Sequence, residues 1–416
     1  MSVILREEVI QRLGEIGEAD ILVGIPSFNN ADSIGHVVRA VQAGVAKYFP
    51  DKKAILINSD GGSGDGTREV VERVIIDDFQ PLLINQRQDL LSKIVTPYHG
   101  IAGKGSAFRT VFQIAKELNV KACAVVDSDL RSITPEWIEL LIRPVLERNF
   151  DFVAPYYLRH KYDGTITNSI VYPVTRALYG KRIRQPIGGD FGFSGKLAEF
   201  YLTRDVWDTD VARFGIDIWM TTTAVANNFK VCQSFLGAKI HSPKEPSSDL
   251  SAMLMQVVSA LFNLMEEYPG QWKEVKSTSP VPLFGFQFSV GLEPVKVNIE
   301  RMINMFKLGM TELGDLWKVI LSTESLSGLQ ETAKTEPFSF GDDLWARVIY
   351  DYALAWHGKV MKGEHMLKTL TPLYLGKVAS LVIEMADTTA GKVEERIEAL
   401  CIAFEKLKPY LIDKWE

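Results

Sequence analysis

Short apolar runs alternate with stretches of helical periodicity through the first 245 residues, and no other feature constrains the fold as strongly. Ile21–Pro26 is predicted as a first strand, Ser33 to about Tyr48 as a helix, and Ala54–Ser59 as a second strand. A helix is expected near Arg68–Ile76, another opens at Gly103-Lys104-Gly105, and Ala122–Val126 reads as a buried strand. Pro135 heads a helix running to about Arg148, which fits proline's preference for the first helical position. Further strands end near Pro155 and cover Val231–Leu236. Strands alternating with helices of this length imply a mostly parallel α/β sheet with helices on both faces.

From about Ser248 the pattern changes. Segments 249–268, 298–323, 340–360, 363–386 and 391–408 all carry apolar stripes at helical spacing, separated by breaker-rich stretches such as Ser277–Pro282 and Ser322–Phe338. A length of 416 residues exceeds one ordinary core. The expected organisation is an α/β domain over 1–250 and a helical domain over 251–416. No internal repeat or low-complexity tract stands out.

Charge narrows the function classes. The formal net charge is −6 with no concentrated Lys/Arg block, so nucleic acid is not an expected partner. The first twenty residues carry charges throughout, unlike a signal peptide, and no uninterrupted run of 18 apolar residues occurs. Integral membrane contact is therefore not expected. Cys123, Cys232 and Cys401 are far apart and odd in number, so they read as buried thiols in a reducing, cytoplasmic setting.

Candidate chemistry concentrates at predicted strand ends. Asp127-Ser128-Asp129 follows the Ala122–Val126 run, at the edge where open α/β sheets bind ligands. Two acids separated by one residue suit a divalent cation that also binds phosphate oxygens. Gly103-Lys104-Gly105-Ser106 precedes a helix, where backbone N–H groups and a lysine favour a diphosphate; a flexible loop with a solvated lysine is the alternative. Asp60-Gly61-Gly62-Ser63-Gly64-Asp65-Gly66-Thr67 reads as a tight turn with Thr67 capping the next helix, or as acids that bind a base or ribose. In Gln185-Pro186-Ile187-Gly188-Gly189-Asp190 the glycines allow close backbone approach by a ligand, or form a plain turn. Asp217 is placed at a helix start, and His241 follows an apolar strand as a metal ligand or a structural histidine. Arg159 and Thr167 lie between a strand and a helix, where a guanidinium and a hydroxyl suit a small carboxylate, or where Arg159 is simply a surface residue.

The order of these motifs is more informative than any one of them. I-P-S-F-N-N-A-D-S-I, S-D-G-G-S-G-D-G-T, G-K-G-S-A, D-S-D, Q-P-I-G-G-D, F-G-I-D and K-I-H together resemble the GT-A glycosyltransferases, over roughly residues 20–265. Within that group the pattern is most similar to the mannosylglycerate and glucosyl-3-phosphoglycerate synthases, which make compatible solutes; Phe340–Trp345 extends the resemblance less specifically. The resemblance implies a GT-A fold and a metal-dependent, retaining transfer of mannose or glucose from a GDP- or UDP-sugar to a small 2-hydroxy acid such as glycerate. It implies Mg²⁺ or Mn²⁺ on Asp129 and His241, with Asp127 on the ribose or beside the metal. Pro26, Asn29 and Asp60 would serve the nucleotide, Lys104 its diphosphate, and Gly188-Gly189 the donor sugar or acceptor. Asp217 would lie beside the transferred sugar, and Arg159 with Thr167 would hold the acceptor carboxylate. A homo-oligomer is also expected.

Three departures qualify the resemblance. Asn30 stands where relatives often carry an acid, Pro243 where phosphoglycerate users tend to have asparagine, and Thr165 where they have arginine. Losing a guanidinium removes a bidentate phosphate partner, which favours an unphosphorylated acceptor. The competing readings are transfer to a polyprenyl phosphate, an NDP-sugar pyrophosphorylase, and a non-catalytic sugar-nucleotide-binding protein. The first lacks a membrane anchor here, and the second lacks a basic Gly-rich loop after the first strand.

Overall fold

The computed structural model describes residues 5–74, 91–98, 100–241, 250–288, 291–386 and 388–416. Two compact units emerge. The first comprises Met1–Leu158, Ile187–Ser242 and Val281–Leu292; the second comprises Arg159–Pro186, Pro243–Pro280 and Glu293–Glu416. The division is thus discontinuous, in place of a single boundary near 250.

In the first unit α1 (Glu7–Ile16) precedes β1 (Ile21–Ser27), α2 (Ala31–Tyr48), β2 (Ala54–Asp60), α3 (Thr67–Arg73), β3 (Leu91–Pro97), α4 (Lys104–Glu117), β4 (Ala122–Val125), α5 (Pro135–Arg148) and β5 (Phe152–Leu158). The chain then gives the second unit a π-turn (Thr167–Val171), α6 (Tyr172–Tyr179) and β6 (Lys181–Arg182). It returns to the first unit for β7 (Phe191–Ser194), α7 (Gly195–Leu202), α8 (Ile216–Ala226) and β8 (Val231–Ala238). α9 (Ser251–Glu267), α10 (Pro269–Trp272) and β9 (Ser279–Pro280) belong to the second unit, and β10 (Leu283–Phe284) to the first. The second unit ends with α11 (Ile299–Glu312), α12 (Gly314–Ile320), α13 (Thr323–Thr332), α14 (Asp342–His357), α15 (Gly363–Glu384) and α16 (Ala390–Lys414).

The sheet of the first unit has the order β10-β8-β5-β7-β4-β1-β2-β3. Every pairing is parallel except those of β7, which runs antiparallel to both β4 and β5. β1 and β2 are buried along their whole length, as expected for strands covered on both faces. On one face Val37, Val38 and Val41 of α2 join Ile138, Leu141 and Ile142 of α5 over Val23, Ile25 and Leu56. Full burial of each such side chain contributes about 1.5–3 kcal/mol. Opposite, α4 lies so close to β1 that a Cβ on Gly24 would come within 2.6 Å of Val111.

Several boundaries differ from the sequence expectation. β3 and the four-residue β7 were not predicted, the 298–323 helix divides at Leu313-Gly314 into α11 and α12, and α13 occupies part of the breaker-rich 322–338 stretch. Thr67 does not cap α3. The capping position is Gly66, while the Thr67 hydroxyl donates to Asp65 and accepts from the Asn30 N–H.

The second unit is helical around residues 159–186. Every residue of α6 is buried, and the Trp345 indole donates to the Ser169 carbonyl at 2.7 Å. Arg176 is almost fully enclosed and pairs with Glu398 and Glu405 of α16. α15, at 22 residues, is the one helix among the described residues long and apolar enough to cross a membrane, and 78% of its most apolar window is buried inside the fold. Lys368 and Lys377 interrupt it, so it holds no uninterrupted apolar run of 18 residues. Lys377 is buried, with its ammonium on the Phe340 carbonyl and the Asp342 carboxylate. Cys123, Cys232 and Cys401 are all buried and free, and burial pushes each thiol upward.

Candidate active site

The antiparallel strand defines the site. β1, β2, β4, β5 and β8 end on one edge of the sheet, and because β7 runs the other way, its start lies on that same edge. Gly188-Gly189-Asp190 therefore meets Asp127, just past β4, and Lys239, just past β8. Carboxyl edges of open α/β sheets are where ligands bind.

At the centre is a charge network. The Lys104 ammonium lies 2.8 Å from Asp127 Oδ1, 3.3 Å from Asp217 Oδ1 and 3.3 Å from the Gly189 carbonyl. Lys239 Nζ lies 2.7 Å from Asp127 Oδ2, 2.7 Å from Asp190 Oδ2 and 2.8 Å from the Gly188 carbonyl. Three carboxylates thus share two ammonium groups. Lys104 is the first residue of α4, where a cation opposes the helix dipole, so its placement depends on the two acids.

Each acid feels this differently. Burial raises Asp127, but Lys104 and Lys239 outweigh it and hold the carboxyl well below its ordinary range. Burial dominates at Asp190 and at Asp217 and leaves both raised, with their lysine contacts only partly offsetting it. Burial works against the Lys104 charge, yet Asp127 and Asp217 keep its ammonium protonated to higher pH than usual. Asp217, in the first turn of α8, keeps Oδ1 without a hydrogen-bond partner; the 3.3 Å approach of Lys104 is an ion pair without hydrogen-bond geometry.

The glycines beside these groups serve the fold directly. A Cβ on Gly105 would fall 1.9 Å from the Val211 carbonyl oxygen, so this glycine admits the 211–213 backbone, whose Arg213 carbonyl accepts the Gly105 N–H. Gly189 has φ +89°, and a Cβ there would fall 2.3 Å from Asp127 Oδ2.

Asp129 is half-buried and has no hydrogen-bond or ion-pair partner among the described residues. Its loop is laced to the strand end that carries His241: Arg131 N–H donates to the Ile240 carbonyl at 2.8 Å, and Ile240 N–H to Ser132 Oγ at 2.9 Å. Among the described residues no three His, Cys, Asp or Glu side chains gather into a metal cluster. Asp127, expected on the ribose or near the metal, is occupied by two lysines. One carboxylate and one imidazole on adjoining loops still fit a cation that takes its other ligands from substrate phosphates and water. Pro243 lies outside the described residues.

The nucleotide-side expectations meet a well-used loop. Asp60 accepts five hydrogen bonds, from Ser27 Oγ, Ser63 Oγ, the Gly62 and Ser63 N–H groups and Arg68 Nε. Burial raises Asp60, but Ser63, Arg68 and Ser27 bring it below the usual carboxylate range. Its carboxylate organises the turn, and Asp65 accepts the Ala31 N–H at the start of α2. Asn29, at φ +54°, accepts the Gly64 N–H, and Pro26 is buried in β1. Asn30 Oδ1 accepts the Ser128 hydroxyl at 2.7 Å, so the position where relatives carry an acid here steadies the middle of Asp127-Ser128-Asp129.

Arg159 and Thr167 belong to the second unit. Arg159 Nη1 pairs with Asp163 at 3.2 Å, Thr167 opens the π-turn, and Thr165 Oγ1 shares a 2.5 Å hydrogen bond with the Tyr374 hydroxyl. The first unit brings Lys104, Asp127, Gly188, Gly189 and Asp217 together. Sequence reasoning gave no role to Lys239 or Asp190, although both stand in motifs it singled out, K-I-H and Q-P-I-G-G-D.

Residues 22–206, a stretch that carries β1 to β5 and β7 of the mostly parallel sheet, match the glycosyl transferase family 2 model. Among solved structures, glucosyl-3-phosphoglycerate synthase from Mycobacterium tuberculosis in complex with Mn²⁺, UDP and glucosyl-3-phosphoglycerate is 21% identical, covering 61% of this chain and 83% of that one at a TM-score of 0.45. The same enzyme with Mg²⁺ and UDP is 20% identical, with 61% and 83% covered and a TM-score of 0.44. Its complex with Mn²⁺, UDP-glucose and phosphoglyceric acid is 20% identical, with 61% and 84% covered and a TM-score of 0.44. No curated protein sequence gives a significant match.

Proposed function

We propose that this glycosyltransferase moves a hexose from a nucleoside diphosphate sugar to a small 2-hydroxy acid such as glycerate, with retention at the anomeric carbon and with a divalent cation. The observation that carries the reading is Lys104, half-buried at the N-terminus of α4 between Asp127 and Asp217. A lysine and a helix N-terminus at the carboxyl edge of the sheet form a receptor for a diphosphate. Arg159 and Thr167 supply a guanidinium and a hydroxyl suited to an acceptor carboxylate. Thr165, which replaces the arginine of phosphoglycerate users, is spent on Tyr374, and this favours an acceptor without a phosphate.

Asp129 and His241 are the residues that would hold Mg²⁺ or Mn²⁺, which supplies charge neutralisation on the departing diphosphate. Lys104 exchanges its two carboxylates for diphosphate oxygens and stabilises the charge that develops there. Asp217, once Lys104 has turned to the donor, presents an oxygen with no other partner to the sugar. The bond from the anomeric carbon to the phosphate oxygen breaks, and a bond to the acceptor oxygen forms on the same face. The acceptor's proton passes to the leaving phosphate oxygen, so no protein nucleophile is required.

The test is a screen of UDP- and GDP-linked glucose and mannose against glycerate, lactate, glyoxylate, 3-phosphoglycerate and a polyprenyl phosphate, with Mg²⁺ or Mn²⁺, reading product and anomeric configuration by NMR. An α-linked glycoside of a hydroxy acid is expected. Product only on a polyprenyl phosphate, or donor binding without turnover on any acid, would overturn the reading.

A further inference from the structure

Asp190 has no exposed surface. Its Oδ1 accepts the backbone N–H of Asp127 at 2.8 Å, and its Oδ2 accepts Lys239 Nζ at 2.7 Å and the Tyr157 hydroxyl. Those three donors stand at the ends of β4, β8 and β5, while Asp190 itself immediately precedes β7. One carboxylate therefore fastens four strand ends at the edge where the transferase site lies.

Stability alone is a poor account of this arrangement. Replacing a buried ion pair by apolar residues of similar volume is often neutral or stabilising. What the charged group adds is direction. Its bonds reach the main chain of Asp127 directly, and through Lys239 they reach Asp127 Oδ2 at 2.7 Å and the Gly188 carbonyl at 2.8 Å. Gly189 lies so close to Asp127 that no Cβ fits between them, so the turn and the carboxylate stand in direct contact.

We infer that Asp190 is a positioning residue for glycosyl transfer, holding Asp127 and the Gly188-Gly189 turn in one register through Lys239. The inference rests on the transferase reading. Misplacing reacting groups by about 1 Å costs on the order of 10²-fold in rate, and that is the scale at which this clamp acts.

Asp190→Asn and Tyr157→Phe are compared with the full-length wild type, using the donor and acid identified by the screen. For D190N kcat should fall about 10²-fold while the acceptor KM stays within about twofold, the pattern of lost geometry rather than lost substrate binding. Y157F removes one neutral hydrogen bond and should lower kcat by about threefold to tenfold. A folded D190N with wild-type kcat, or one whose only change is a lower Tm, overturns the inference. If D190N fails to fold, Y157F decides, and unchanged kcat there overturns it equally. If the wild type transfers no sugar, the transferase reading itself has failed. The clamp is then read from calorimetric titration of UDP and GDP, where about tenfold weaker binding to D190N supports it and equal binding overturns it.

Discussion

Lys104→Met removes one charge while keeping most of the side chain's length. In the wild type that charge lies 2.8 Å from Asp127 and 3.3 Å from Asp217. At an effective dielectric of about 20, these separations correspond to gross attractions of about 6 and about 5 kcal/mol. Desolvation of the three groups offsets most of this in the free protein. Lys239 still neutralises Asp127, so the deficit falls on Asp217, and K104M is expected to fold with a modest loss of stability. The larger effect concerns the donor. One charge-assisted hydrogen bond is worth about 1.5–3 kcal/mol, which predicts roughly tenfold to hundredfold weaker binding of a nucleoside diphosphate. Turnover should fall further, by on the order of 10²–10³-fold in kcat, because the charge on the leaving group grows toward the transition state. Calorimetry with UDP and GDP reads the first quantity, and initial rates at saturating donor read the second. A folded K104M that binds nucleoside diphosphate as tightly as the wild type, with kcat within threefold, would refute the assignment of Lys104 to the diphosphate.

Asp129→Ala should leave the fold intact and abolish metal-dependent donor turnover, so Mn²⁺ titration of the rate should lose its saturating phase. Arg159→Ala should raise the acceptor KM far more than the donor KM; equal changes in both would remove it from the acceptor site. Gly189→Ala meets both a left-handed backbone and the Asp127 carboxylate, so it should cost at least about 1–2 kcal/mol in denaturant unfolding. Burial pushes Lys408 down to about 8 in the folded chain, below the ordinary 10.5. Between those values the unfolded chain binds more protons, so wild-type stability should rise across about pH 8 to 10 relative to Lys408→Met. Parallel pH dependences of Tm in the two proteins would show that the ammonium is not held in this way.

Uniform chemistry made part of the fold legible. β1, β2 and β4 are near-continuous apolar runs because both of their faces are covered, and Pro135 marks the first turn of α5. β3 escaped notice because an edge strand reading Leu-Ser-Lys-Ile-Val-Thr-Pro is only partly buried and carries no clean period. α6 looked like another helix of the first unit, since periodicity reports that a face is buried and not which core buries it. In the site, Lys104, Asp127 and Asp217 were readable from motif order. Lys239 and Asp190 were not, because their pairing spans 49 residues and exists only after β7 has turned back against β4 and β5. Asp60 illustrates the opposite limit: a carboxylate at a strand end suggested a ligand, and it already accepts five hydrogen bonds from β1, its own turn and α3.

The position of β7 has a consequence for synthesis on the ribosome. β4 and β5 are separated in the sheet by β7, yet β5 ends at Leu158 and β7 is complete only at Ser194, after the chain has passed through 28 residues of the other unit. At about 5–20 residues per second that interval lasts roughly 2–7 s. Throughout it the facing edges of β4 and β5 present unpaired N–H and C=O groups, the kind of surface that templates pairing with another chain. β10 joins β8 only some 45 residues after β8 ends, which extends the exposure at the far edge. Synthesis thus leaves three strand edges open for a time, those of β4, β5 and β8, and cutting the gene at a single point near codon 250 would deliver a sheet that still lacks β10.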